Sequence, residues 1–203
     1  MGAAAEKLGQ SAQIEAALGV LAVYLRETSA ELAGQLFQTP GGTESFDPPR
    51  TELVYAERMS LVFVAGPSLR ILFRAHYDPS LSASIALGGE TASDEVRVSA
   101  AYTGQLMQEF ANLVAGRCKS MLDQKEIETG LSLPLTTGGV DEIFFRYMKG
   151  SPYMRTTSWG VKPKRGDIRL TLSSSIEILD ATIVEKILQE TESQQRTGEL
   201  DLF

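Results

Sequence analysis

Gln108-Glu109-Phe110-Ala111-Asn112-Leu113-Val114-Ala115-Gly116 is the stretch around which the rest of the chain is read. Met107, Phe110, Ala111, Val114, Cys118 and Met121 fall on one broad arc of a helix. Gln105, Glu109, Asn112 and Gly116 fall on a narrower one. That pattern is amphipathic at the helical period. It predicts a helix over residues 94–122, with Ser93 as N-cap and Asp94 and Glu95 in the first turn, where carboxylates suit the helix dipole. Residues three apart share a helix face, so Glu109 and Asn112 project side by side on the wet side. Gly116, a turn further on, leaves room for something to approach. A carboxylate beside a carboxamide can grip a cation and position a water. Asn112 is the only asparagine in the chain.

Upstream of this helix, Ile14, Leu18, Leu21, Leu25, Leu32 and Leu36 recur at helical spacing and predict a helix over 12–38, stopped by Pro40-Gly41-Gly42. Residues 53–64 and 69–75 read as the strands of a hairpin turned at Gly66-Pro67-Ser68. A short helix is expected over 79–87, ended by Gly88-Gly89. Downstream, 131–135 is a short apolar segment before Thr136-Thr137-Gly138-Gly139. Strands are expected over 142–148, 153–161 and 167–173, and a helix over 181–189. Consecutive hairpin-compatible strands give an α+β fold, a mainly antiparallel sheet with long helices on one side.

The 203 residues favour one domain, and 43% hydrophobic content supplies a real core. A formal net charge of -7 disfavours a surface for DNA or RNA backbones, so no nucleic-acid partner is expected. The single cysteine, Cys118, excludes an intrachain disulfide and a cysteine-based zinc site, and the single histidine, His76, excludes a His-rich one. No apolar run is long enough to span a membrane, and the first residues lack a signal-peptide pattern. A cytoplasmic protein follows by elimination.

Each candidate has a plainer reading. Glu109 and Asn112 taken alone read first as a solvated helix face, since surface helices are rich in polar residues. Gly116 shifts the balance, because glycine costs about 1 kcal/mol inside a helix and often has a packing or access reason. Cys118 reads as core and His76 as structural or exposed. Gly88-Gly89 and Gly138-Gly139 are turn or cap signals without a phosphate-loop pattern. Lys162, Lys164 and Arg165 read as a solvated basic turn ahead of an anion site, and Tyr147, Tyr153 and Trp159 as strand packing residues.

The combination points further. Gly88-Gly89, Asp94-Glu95, Glu109-Phe110-Ala111-Asn112 with Gly116, Leu131-Ser132-Leu133-Pro134 and Gly138-Gly139, in that order, resemble the CheC/CheX/FliY family of bacterial phosphatases, and CheX most closely. These enzymes act on phosphorylated CheY-type receiver domains. The resemblance implies a single CheX-like domain over 1–203, with its core over about 12–175 and a C-terminal helix and tail over about 176–203. It implies catalytic roles for Asn112 and Glu109 and a partner-docking role for Gln105 and Gly116. The implied partner is a phosphorylated CheY-like receiver, the implied assembly a homodimer. The resemblance also implies that the chain itself binds no cofactor and that Mg2+ arrives with the receiver. CheC resembles a duplicated version with two Glu-x-x-Asn motifs. A second one cannot exist here, and Glu31-Leu32-Ala33-Gly34 ends in glycine, so one site per subunit is expected. The chain departs from the family core at Phe46-Asp47-Pro48-Pro49 and after Ser175. Two other readings stand beside this one: a noncatalytic adaptor for a receiver or flagellar switch component, and a small-molecule sensory domain with a pocket between the first helix and the sheet.

Overall fold

The computed structural model describes residues 2–37, 41–47, 56–78, 100–142, 153–163 and 170–189. The first helix, α1 (Gly2–Leu36), begins ten residues before the expected start. The added segment has no apolar period, but Ala, Glu, Lys and Leu dominate it and all are strong helix formers. The periodic residues Ile14, Leu18, Leu21, Leu25 and Leu32 are buried as anticipated. Gly41 and Gly42, both at positive φ (79° and 81°), turn the chain into β1 (Thr43–Phe46), a strand the sequence reading did not anticipate. Four residues are too few for alternation to show. The Phe46 ring occupies the space where a Cβ at Gly160 would stand, which explains that glycine.

The hairpin is confirmed as β2 (Arg58–Ala65) and β3 (Leu69–Tyr77), with the Gly66 N–H donating to Leu69 O at 2.9 Å across the turn. The motif helix is α2 (Ala100–Gln124). Two short strands follow, β4 (Gly130–Leu131) and β5 (Leu135–Gly138), both antiparallel to β2. A 3-10 turn over Gly139–Asp141 leads to Glu142, which closes that turn rather than opening a strand. The C-terminal part contains β6 (Met154–Pro163), β7 (Leu170–Ile178), a 3-10 turn over Ala181–Ile183 and α3 (Val184–Leu188). The expected helix over 79–87, the start of the motif helix, the strand over 143–148, Gly88-Gly89, Tyr147, Lys164 and Arg165 lie outside the described residues.

Among the described residues the sheet has seven strands, all antiparallel, in the order β1-β6-β7-β3-β2-β4, with β5 also on β2. β7 pairs with both β6 and β3 and so joins the two groups of strands. α1 lies over β6 and β7, and α2 over β2 and β3, both on one face. This is the α+β arrangement expected.

The core does not stop at residue 175. Ile176, Ile178, Ile183, Val184 and Ile187 all belong to the main apolar cluster, so the hydrophobic core runs past that residue. The serine run obscured the strand, yet Ser174 Oγ is paired with Thr157 Oγ1 at 3.0 Å and Ser173 Oγ accepts from Arg74 Nε at 2.8 Å. Arg74 is wholly buried on the sheet face away from the helices, 3.2 Å from Glu142 Oε2, which also lies 3.3 Å from His76 Nε2. No helix among the described residues is long and apolar enough to cross a membrane.

Candidate functional site

The period of α2 decides which side chains it offers. Thr103, Met107, Phe110, Ala111, Val114, Ala115, Cys118 and Leu122 are buried against the sheet and α1. Phe110 is clamped between Phe37 and Phe73, with ring centroids 5.5 and 6.2 Å away. With that face fixed, Gln105, Glu109 and Asn112 must project outward, and all three are exposed. The structure therefore brings Glu109, Asn112, Gln105 and Gly116 onto one solvent-facing strip.

The neighbours of the pair are engaged and the pair is not. Arg117 Nη1 bonds Glu31 Oε2 at 2.8 Å, holding the Glu31 carboxyl below its usual range, and Lys119 is paired with Asp123. Gln108 Nε2 donates to Thr136 Oγ1 of β5 at 2.9 Å. Among the described residues, neither Glu109 nor Asn112 has a hydrogen-bond or ion-pair partner. A carboxylate and a carboxamide are thus presented on a rigid helix with their polar atoms uncommitted. The carboxamide can accept and donate at once, and the carboxylate can receive a cation. A Cβ at Gly116 would meet nothing within 4 Å, so that glycine keeps the strip low without being demanded by packing.

The other singled-out residues are structural. Cys118 is buried, and desolvation pushes its thiol pKa up to about 12, which removes it as a nucleophile. His76 is sealed under the sheet beside Glu142. Trp159 is buried and donates from Nε1 to Ser29 Oγ at 3.1 Å, whereas Tyr153 is partly exposed. A Cβ at Gly139 would overlap Ala56 O, a steric reason for that residue of the Gly138-Gly139 pair. Lys162 is tied to Glu44 at 3.1 Å and lies over the Phe46 ring. Among the described residues no group of His, Cys, Asp or Glu could hold a metal.

Two further features lie outside the Asn112 strip: a groove between the first helix and the sheet, where the sensory-domain reading places a pocket, and an exposed apolar edge that the sequence reading missed. A groove of about 400 Å³ runs between α1 and β6, lined by Gly19, Ala22, Val23, Arg26, Arg155 and Trp159. It lies at the β1/β6 side of the sheet, away from Asn112. At the opposite edge, Leu131, Leu133 and Leu135 are 37%, 83% and 55% exposed. Nothing in a leucine's identity says whether it is buried, and the segment 131–135 reads only as apolar.

No family model matches the chain, and no curated protein does. Solved structures do. A CheC-like superfamily protein from Shewanella sp. PV-4 aligns with a TM-score of 0.55 at 12% identity, over 78% of this chain and 97% of its own. Chemotaxis protein CheX from Vibrio vulnificus aligns with a TM-score of 0.54 at 12% identity, over 77% and 96%. A CheX–CheY–BeF3–Mg2+ complex from Borrelia burgdorferi aligns with a TM-score of 0.51 at 15% identity, over 76% and 96%. The chain has the CheC/CheX-like fold.

Proposed function

We propose that this chain is a phosphatase for the aspartyl phosphate of a CheY-type receiver domain. One observation carries the reading: the sole asparagine stands exposed and uncommitted on the same strip as Glu109, on a fold that CheX also has. A solved CheX of this fold binds CheY, which supports a receiver as partner.

Hydrolysis requires a water in line with the bond from phosphorus to the aspartyl oxygen. Asn112 Oδ1 accepts a hydrogen bond from that water, while Nδ2 donates to a phosphoryl oxygen. Water attacks phosphorus, the bond to aspartate breaks, and inorganic phosphate and the free carboxylate are released. A second carboxylate at position 112 would be repelled by the phosphoryl group. Glu109 pairs with a lysine of the receiver and fixes Asn112 in register. Mg2+ belongs to the receiver and balances phosphoryl charge there. The chain's own contribution is positioning, for which one carboxamide supplies about 2–3 kcal/mol, or roughly 30–150-fold in rate. The reading carries with it a single cytoplasmic domain that binds no cofactor and acts as a homodimer with one site per subunit.

The test is the lifetime of phosphorylated receiver with wild-type protein and with Asn112→Ala. The wild type should shorten it and the variant should lose most of that effect. Equal hydrolysis by the two would sink the water-positioning role. Binding without any change of lifetime would favour the noncatalytic adaptor.

A further inference from the structure

Beside the Asn112 strip, the edge of the sheet carries an apolar rim that the chemistry above does not use. Leu131 is paired with Val64, whose side chain is in the core under the helices, so Leu131 leans to the helix side of the sheet. Leu135 is paired with Leu61, which packs with Met59 and Leu72 on the opposite side. Leu133 juts from the bend between them and is 83% exposed.

The bend is pinned. The Ser132 N–H donates to Phe63 O at 2.9 Å, Phe63 N–H donates to Ser132 Oγ at 3.0 Å, and Ser132 Oγ donates to Leu133 O at 3.0 Å. Pro134 fixes its own φ. A leucine held this firmly in water is preorganised to be covered.

Its height matches the site. Gln108 bonds Thr136, so this flank of α2 faces β5, and Asn112 lies only about 40° further round the helix axis. α2 and β2 climb in the same direction, since Gln108 meets β5 while the chain after α2 returns as β4 on Val64 and Ala65. Four helical residues rise about 6 Å, close to the span of two strand residues. That carries Asn112 from the level of Ser60 and Thr136 to that of the bend. Glu109 and Glu128, both exposed, have no ion-pair partner among the described residues, whereas Lys119 and Lys186 pair with Asp123 and Glu126.

We infer that Leu131 and Leu133 form the docking ledge for the receiver whose phosphoaspartate meets Asn112, seating an apolar patch ringed by lysines. This rests on the receiver reading. The ledge sets affinity and partner choice, and Asn112 sets the rate once bound.

The experiment measures binding of beryllofluoride- and Mg2+-loaded receiver, together with dephosphorylation against receiver concentration. The full chain is compared with Leu133→Asp, Leu131→Asp, Leu135→Asp and Asn112→Ala, with melting curves to confirm folding. Leu133→Asp should weaken binding by about tenfold or more while keeping the rate at saturation. Leu135→Asp, on the far side, should bind normally, and Asn112→Ala should bind but not hydrolyse. Full affinity in a folded Leu133→Asp overturns the ledge and leaves the receiver reading intact. Equal weakening by Leu135→Asp overturns the assignment to the helix side. A wild-type dimer split by Leu133→Asp gives the rim to a second copy and overturns it too. A wild type that neither binds nor dephosphorylates any receiver of its cell overturns the receiver reading, and the ledge's occupant with it.

Discussion

In the proposed reaction, the choice of carboxamide over carboxylate at position 112 is an electrostatic one. Asn112→Asp keeps the shape but puts a second anion near the phosphoryl group and removes the donor, so it should lose as much activity as Asn112→Ala. Because the side chain is exposed, either change should move stability by less than about 0.5 kcal/mol. Receiver-phosphate lifetimes and urea midpoints check both, and an active Asn112→Asp would refute the donor role. Cys118, one helical face away, behaves in the opposite sense. Burial holds its thiol protonated up to about pH 12, from a normal value of 9.0. Between those values the unfolded chain has released the proton and the folded one has not, so this group makes stability fall as pH rises above about 9. Cys118→Ala should flatten that alkaline decline in urea titrations, and a thiol reagent at pH 8 should label the wild type only after denaturation. Prompt labelling of the native protein would contradict the burial argument.

The helix α2 shows how a single element carries both fold and candidate site. Gly116 is an opportunity to separate the two. A Cβ at 116 meets nothing, so Gly116→Ala should stabilise the protein by about 1 kcal/mol, through helix propensity alone. Gly116→Trp should fold as well and yet block receiver binding, and a tryptophan variant that binds normally would remove Gly116 from the docking strip. The period that placed Phe110 and Val114 inside and Asn112 outside was readable because a 25-residue helix repeats it several times. The hairpin was readable for a similar reason, with two apolar strands and a Gly-Pro-Ser turn. β1 was not, because four residues contain no period and its reason to exist is distant, the Phe46 ring under Gly160. β5 was not, because Thr136-Thr137-Gly138 reads as turn chemistry and its pairing with β2 is a tertiary fact. The leucine rim failed differently. Its residues were visible, but their exposure is set by lying at a sheet edge.

At the scale of the molecule, among the described residues, the long helices α1 and α2 cover one sheet face, and the opposite face holds a cluster of buried charge. Arg74, in the central strand β3, donates to Ser173 and Ser175 of β7 at 2.8 and 2.9 Å and sits 3.2 Å from Glu142. Glu142 follows the turn that begins at Gly139, so it ties the segment after β5 to the middle of the sheet. Desolvating these charges is costly, and their pairing is weak evidence for net stability. Removing one partner is a sharper matter, because the other charge stays buried. Glu142→Ala should therefore cost about 3–5 kcal/mol, far more than any change on the Asn112 strip. Glu142→Gln keeps the shape and a hydrogen-bond acceptor, and should cost less. Urea unfolding measures both, and hydrogen exchange over 130–142 should quicken in the alanine variant, since the β4–β5 edge loses its tie to β3. That loosening makes a further demand on the rim. A bend no longer held in register should seat a receiver less well, with Asn112 itself untouched. Weakened binding at a preserved saturating rate is the expected outcome. An alanine variant with an unchanged unfolding midpoint would show that the glutamate carries no structural weight.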